Sequence, residues 1–330
     1  MTSYTSPWWC RNRHVQTIWP ALFRRVRVAT RRERLDTPDG DFVDLDWLDG
    51  PLGRPLVVVL HGLEGSSRSH YVAGILRECR ERGLRGIALN FRSCSGEMNR
   101  RPRFYHSGET GDFDHALQHV LGRDGDVAVG IVGVSLGGNV LLKWLGERGA
   151  EVPRQVRAAA AISVPFDLVA CARVLDQGFN RAVYTANFLR TMRRKVRRMA
   201  RRYPAFVDVA GAWRARTFAE YDRAVTAPLF GFADEMDYWR RASSAPWLAR
   251  IQHATLLINA RDDPFVPPGV LTAIEALSSP WVRAELSDLG GHVGFIAGPP
   301  WRPTGWAERR AVEFLQQAFE PVRASASIGR

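Results

Sequence analysis

Ser135 stands in Gly133-Val134-Ser135-Leu136-Gly137, directly after the apolar run Val127–Val132 and directly before a helix-forming segment. A serine hydroxyl attacks a carbonyl only when a neighbouring base takes its proton, so the surroundings of Ser135 decide what the motif means. In a strand–turn–helix context the tight turn lifts the hydroxyl above the sheet, and the flanking glycines avoid clashes there. The Leu136 backbone N–H then faces a developing oxyanion from a helix N-terminus. Outside that context the same five residues are a glycine-rich turn with a bystander serine.

With such an elbow the partners follow in the order serine, acid, histidine. Only His253 and His292 lie beyond Ser135. His292 sits in Gly290-Gly291-His292-Val293-Gly294-Phe295, a loop between a strand and the last helix. Such a loop reaches the C-terminal edge of a sheet. His253 precedes a strand and falls on the opposite edge, so His292 is the expected base. The acid is expected after the strand Ala254–Ala260, where Asp262 and Asp263 compete. The pattern Asp-x-x-Val-Pro starts at Asp263, which is favoured; Asp262 is then a turn residue accepting backbone N–H bonds. The second oxyanion donor is expected from His61-Gly62-Leu63-Glu64, through the Leu63 N–H, with His61 in a structural role. A haloalkane- or epoxide-cleaving site would need an acidic nucleophile at position 135.

Other reactive side chains carry weaker readings. Cys94 lacks an elbow. His115 and His119 are four apart on a helix, but without an HExxH pattern they read as surface histidines rather than metal ligands. No metal and no organic cofactor is expected. Trp8, Trp9 and Trp19, interleaved with arginines, would either pack on their own domain or dip into a membrane interface.

These residues need a scaffold, and the hydrophobic pattern supplies one. Val26–Leu35 and Phe42–Leu48 flank Pro38-Asp39-Gly40 and read as a hairpin. Leu56–Leu60, Gly86–Asn90, Val127–Val134, Ala158–Val164, Ala254–Asn259 and Val282–Leu286 read as strands. They alternate with helical segments at 71–82, 113–121, 136–147, 269–277 and 307–319. Continuous apolar strands alternating with helices imply an α/β class, with a mostly parallel sheet of about eight strands covered on both faces. Residues 166–247 break the alternation and read as a helical cap inserted into a core of residues 1–165 and 248–323. Residues 1–25 form an aromatic and basic N-terminal arm, and 324–330 a tail.

The 330 residues carry a formal charge of +12, from 46 Lys and Arg against 34 Asp and Glu. This balance keeps anionic membrane and nucleic acid in view as partners, against the plainer reading of a solvated basic face. Its densest block runs from Arg190 to Arg202, a helix basic on nearly all sides with Met192, Val196 and Met199 as a thin apolar stripe. Four scattered cysteines, Cys10, Cys79, Cys94 and Cys171, argue against a zinc site or a disulfide framework. With no basic and apolar leader at the N-terminus, a cytoplasmic setting is expected, with peripheral membrane contact through the cap as an option. The apolar runs are too short to span a bilayer.

As a set, several segments identify a family. They are His14-Val15-Gln16-Thr17-Ile18-Trp19-Pro20, His61–Ser66, Asn90-Phe91-Arg92-Ser93-Cys94-Ser95-Gly96-Glu97, Tyr105–Thr110, Gly133–Asn139, Ala260–Phe265 and Gly291–Phe295. The chain resembles the YheT-like, or embryogenesis-associated, branch of the α/β-hydrolase fold over residues 14–320. The resemblance implies a carboxylesterase-like activity on short- to medium-chain acyl esters or acylglycerols, with Ser135, Asp263 and His292 as the triad. Ser93 departs from the branch, where glycine is usual. Two rival readings remain: an acyltransferase or thioesterase on the same fold, and a basic membrane- or nucleic-acid-associated binding protein on a hydrolase scaffold, with nucleic acid the less expected.

Overall fold

The run Leu56–Leu60 forms strand β3, buried at every position. Its side chains alternate between two hydrophobic layers, as strand geometry requires. Leu56, Val58 and Leu60 join one layer with Phe113, Ile131, Leu141 and Trp144; Val57 and Val59 join the other with Ile75, Val132, Val312 and Leu315. Both faces are therefore covered, which is why the run has no polar alternation.

The computed structural model describes residues 3–277 and 279–320; the expected tail lies outside them. The remaining strands are β1 (Arg31–Asp36), β2 (Phe42–Leu48), β4 (Arg85–Asn90), β5 (Val129–Val134), β6 (Val156–Ile162), β7 (Thr255–Ala260) and β8 (Val282–Ser287). They form one sheet in the order β1-β2-β4-β3-β5-β6-β7-β8. β2 is antiparallel to β1 and β4, and all other pairings are parallel. Helix α1 (Arg13–Phe23) lies in the N-terminal arm, capped by Asn12, whose side chain accepts from His14 N and Val15 N. Helices α2 (His70–Glu81), α3 (Gly111–Asp124) and α4 (Leu136–Arg148) follow β3, β4 and β5, and the C-terminal helix Trp306–Phe319 packs beside α2.

Some boundaries differ from the sequence reading. β1 begins at Arg31, not Val26: Val28 instead packs with the apolar layer under α2 and the C-terminal helix. β6 ends at Ile162 because Ser163 turns into the left-handed region, φ 52°. A two-stranded ribbon, Ile296–Ala297 with Thr304–Gly305, was not anticipated from the residues.

Between β6 and β7 the described residues form helices only. They include α5 (Leu168–Leu175), Glu235–Ala242 and the longer Ala186–Ala200. In Ala186–Ala200 Val196 and Met199 of the apolar stripe are buried beside Leu189 and pack with Phe104, Tyr221 and Val225, while Met192 is half-buried. No helix among the described residues is long and apolar enough to cross a membrane.

Candidate active site

The carboxyl ends of β3, β5 and β7 bring their loops to one edge of the sheet, where ligands of such sheets bind. Ser135 follows β5 with φ 53° and ψ −119°, a positive-φ conformation outside the left-handed helical well that costs a non-glycine residue about 1–3 kcal/mol. The neighbouring glycines explain how the turn is tolerated. A Cβ on Gly137 would stand 2.4 Å from the Leu60 carbonyl oxygen, and one on Gly133 would stand 2.5 Å from that of Gly137. The turn is pinned by Ser135 N–H donating to Ile162 O at 2.8 Å.

His292 Nε2 lies 2.9 Å from Ser135 Oγ, and His292 Nδ1 lies 2.9 Å from Asp263 Oδ2. The Asp263 side chain is fully buried, and its other oxygen accepts the Phe265 N–H at 2.8 Å. The Phe265 ring stacks on the imidazole with centroids 4.0 Å apart. Asp262 points elsewhere: its Oδ1 accepts the Gly291 N–H at 2.9 Å, bracing the histidine loop. Burial raises the Asp262 carboxyl above its ordinary range. His253 stands two residues before β7, at the opposite end of the strand from Asp263.

Leu63 and Leu136 both border the cavity at Ser135. Among the described residues, no turn or loop hydrogen bond is donated by either backbone N–H. The loop that carries Leu63 is held from several sides. Tyr71 OH accepts the Gly62 N–H at 3.0 Å, and Tyr105 OH accepts the Glu64 N–H at 2.7 Å. His61 is buried, with Nδ1 2.7 Å from Gly62 O and Nε2 accepting the Phe91 N–H at 3.1 Å. Burial lowers its pKa to about 4, so it is a neutral structural imidazole.

The histidine loop rests on the N-terminal arm. His292 N–H donates to Thr17 Oγ1 at 2.9 Å, and Ile296 N–H donates to Gln16 Oε1 at 3.0 Å. Gln16 is itself fully buried, and its amide donates to Tyr4 OH, Ser6 Oγ and Cys10 O. Trp9 and Trp19 pack edge to face at 5.0 Å, and Trp9 Nε1 donates to Gly298 O, so these two rings belong to the arm's own packing. Trp8 is exposed.

Three further groups near the site escaped the sequence reading. Asn139, one turn into α4, donates to Ser107 O and Ala242 O and accepts the Ser244 N–H, tying the elbow to the inserted helices. Lys195 Nζ donates to Glu64 Oε1 at 2.6 Å and lies 3.2 Å from Cys94 Sγ. Asp222 is buried, with Oδ1 accepting from Thr226 Oγ1 at 2.5 Å and Oδ2 from Trp239 Nε1 at 2.9 Å. Only Asn139 adjoined a recognisable motif; the other two carried no local signal. Burial pushes the Cys94 thiol up to about 11, which disfavours its thiolate. Ser93 takes the left-handed conformation, φ 61°, that favours glycine, and its hydroxyl is held by Asn99. His115 and His119 face separate partners on β1, Asp36 O and Glu33.

Two spaces meet at Ser135 and His292. One is a cavity of about 110 Å³ beneath the inserted helices, bordered by Leu168, Leu175, Phe188, Met192 and Trp239. The other is a groove of about 630 Å³ between the arm, the loop after β3 and residues 183–191.

Residues 55–299 match the family described as alpha/beta hydrolase fold. The chain is 41% identical over 315 residues to Escherichia coli YheT, provisionally named an esterase, covering 94% of this chain and 92% of that one. It is 30% identical to the embryogenesis-associated protein EMB8 of Picea glauca (94% and 73% covered). It is 28% identical to human phospholipase ABHD3 (97% and 80%). Among solved structures, an esterase of Pyrococcus furiosus superposes with a TM-score of 0.58 at 15% identity, over 88% of this chain and 93% of that one, a likeness of fold.

Proposed function

The chain belongs to the α/β-hydrolase family, in its YheT-like branch, and on that premise we propose a carboxylic ester hydrolase working through Ser135, His292 and Asp263. The observation that carries this reading is the unbroken relay from Asp263 Oδ2 through His292 to Ser135 Oγ, with 2.9 Å at each step. His292 Nε2 takes the hydroxyl proton as Ser135 Oγ attacks the ester carbonyl carbon. Asp263 holds the tautomer with the proton on Nδ1 and stabilises the imidazolium. The Leu63 and Leu136 N–H groups receive the oxyanion. His292 then gives its proton to the departing alcohol oxygen, leaving an acyl-enzyme. Water, deprotonated by His292, releases the carboxylic acid.

The substrate class in this reading is short- to medium-chain acyl esters, acylglycerols among them. An apolar cavity of about 150 Å³ holds a benzene-sized ligand, so the cavity of about 110 Å³ suits a short acyl chain. The test is a panel of p-nitrophenyl esters and monoacylglycerols with wild type and Ser135→Ala. The variant is expected to lose at least about 10⁴-fold in turnover; turnover retained by the variant removes the proposal.

A second reading concerns where the enzyme works. Arg190, Arg194, Arg197 and Arg198 on the helix Ala186–Ala200 are exposed, and among the described residues none pairs with a carboxylate. Such a face favours peripheral contact with anionic lipid. Sedimentation with phosphatidylglycerol vesicles but not phosphatidylcholine vesicles, weakened by salt, is the expected result.

A further inference from the structure

The cavity of about 110 Å³ at Ser135 has a neighbour: a second void of about 30 Å³, walled by Phe104, Val225, Leu229 and Phe230. Leu63, Tyr105, Met192 and Thr226 border both spaces and form the partition between them. Three of these four are held in place. Leu63 belongs to the loop after β3, where the neighbouring Glu64 N–H donates to Tyr105 OH at 2.7 Å. That bond also fixes the Tyr105 ring, which stacks on Phe91 with centroids 5.2 Å apart. Thr226 Oγ1 donates to Asp222 Oδ1 at 2.5 Å. Met192 has no such tether. It is half-buried, and its unbranched side chain turns about several bonds. Among the described residues it alone packs against both smaller apolar clusters here. One holds Leu168, Phe218 and Trp239 around the first cavity, and the other holds Phe104, Tyr221 and Val225 around the second void.

We infer that Met192 is the residue that sets acyl-chain length: its side chain is the stop against which the chain ends, and the void behind it is room that the wild-type protein withholds. The inference deepens the hydrolase reading above and rests on it. With the carbonyl carbon at Ser135 Oγ, the chain runs through the first cavity toward the partition. A void needs about 10–15 Å³ to hold one group of water size, so the second void has room for about two methylene groups. Beyond them the Lys195–Glu64 pair, at 2.6 Å, closes the void with charge, and an apolar chain gains nothing there. A shorter residue at position 192 therefore extends the path by a fixed amount and does not open it without limit. Burying one methylene is worth about fourfold in affinity, so two are worth about tenfold or somewhat more.

The experiment measures kcat/KM for p-nitrophenyl acetate, butanoate, hexanoate, octanoate and decanoate, all below aggregation. It reads ratios between chain lengths, which a general loss of activity does not move. In Met192→Ala the chain length of highest kcat/KM is expected to rise by about two carbons over wild type, with the ratio across those two carbons raised about tenfold. Met192→Val shortens the side chain less; a smaller gain in the same direction is expected, and this variant carries the test if the alanine variant does not fold. Leu229→Phe places a ring in the second void without touching the first cavity. In Met192→Ala/Leu229→Phe, and in Met192→Val/Leu229→Phe, the gain is expected to vanish. Melting curves confirm which variants are folded. Ratios unchanged in the folded Met192 variants overturn the inference, and so does a gain that survives Leu229→Phe, because the chain then runs elsewhere. Ester turnover retained in Ser135→Ala removes the hydrolase reading, and this inference with it. Turnover lost there, with ratios unmoved at position 192, removes this inference alone.

Discussion

Lys195 and Glu64, 131 residues apart, meet at 2.6 Å and join the basic helix Ala186–Ala200 to the loop after β3. Glu64 itself stands in the left-handed region, φ 56°, directly after Leu63. Its side chain is 8% exposed, so it depends on the ammonium group for compensation. The loop that carries Leu63 is thereby fastened to the helices above the apolar cavity.

Lys195→Met is expected to lower both thermal stability and kcat. Removing one partner of a buried pair costs about 3–5 kcal/mol, and kcat should fall by about tenfold as the oxyanion donor loses its placement. KM should move less. The check is steady-state kinetics well below the melting temperature, beside the double variant Lys195→Met/Glu64→Gln. Partial recovery of stability without recovery of kcat separates loop placement from mere support. An unchanged kcat in the folded single variant would count against the coupling.

The adjacent aspartates should behave differently. Asp263→Asn is expected to reduce kcat by about 10⁴-fold with the fold intact, because the imidazole loses its orienting acceptor at Nδ1. Asp262→Asn should cost far less activity, since its carboxylate contacts the Gly291 N–H and not the imidazole. Comparable losses in both variants would contradict the assignment.

Thr17→Val removes the acceptor of the His292 backbone N–H without touching the imidazole. An unmade buried hydrogen bond costs about 1–3 kcal/mol, so a fall in kcat of several-fold is expected, with the arm still folded. Gln16→Leu should be worse, because four buried groups each lose a hydrogen bond at once and the Ile296 N–H loses its acceptor. Paired kinetic and melting measurements separate the two effects.

Asp222 borders the cavity beneath the inserted helices, and a pH dependence is expected from it. Burial is the main cause that raises its pKa to about 7, helped by Asp176 and Glu235, while the bonds from Thr226 and Trp239 oppose the shift. The folded protein keeps this proton to a higher pH than the unfolded chain, whose carboxyl has its ordinary value of 3.8. Stability from this group is therefore full at low pH, declines as pH rises between those values, and is flat above about 7. Because Asp222 borders the cavity, KM for hexanoyl esters should rise as pH passes about 7, more than for acetyl esters. Asp222→Asn should flatten both trends; a KM ratio independent of pH in wild type would show that the carboxylate does not face the bound chain.

Much of the relay could be read from local pattern. Ser135, Asp263 and His292 each lie just past a strand or in a glycine-flanked loop, and those signals are short-range. The choice between Asp262 and Asp263 was readable from the residues that follow them, and their side chains point to different partners, as neighbours leaving a strand tend to do. What sequence could not convey is support from afar. Nothing near Thr17 or Gln16 announces a loop 275 residues later. Lys195 lay in a run of cations and read as one more solvent-facing charge, yet it turns inward to Glu64 and Cys94. Asp222 sits among helices whose pattern is irregular, and its burial follows from tertiary packing alone.

The grip of the N-terminal arm on the histidine loop has a consequence for how the enzyme comes into being. Thr17 leaves the ribosome 275 residues ahead of His292, and the bond between them must wait for both. A nascent chain that has already folded its central strands and displays Ser135 on its elbow still lacks the imidazole that faces Ser135 Oγ. Ester cleavage is therefore expected to stay silent during synthesis until the histidine loop clasps the arm at Thr17.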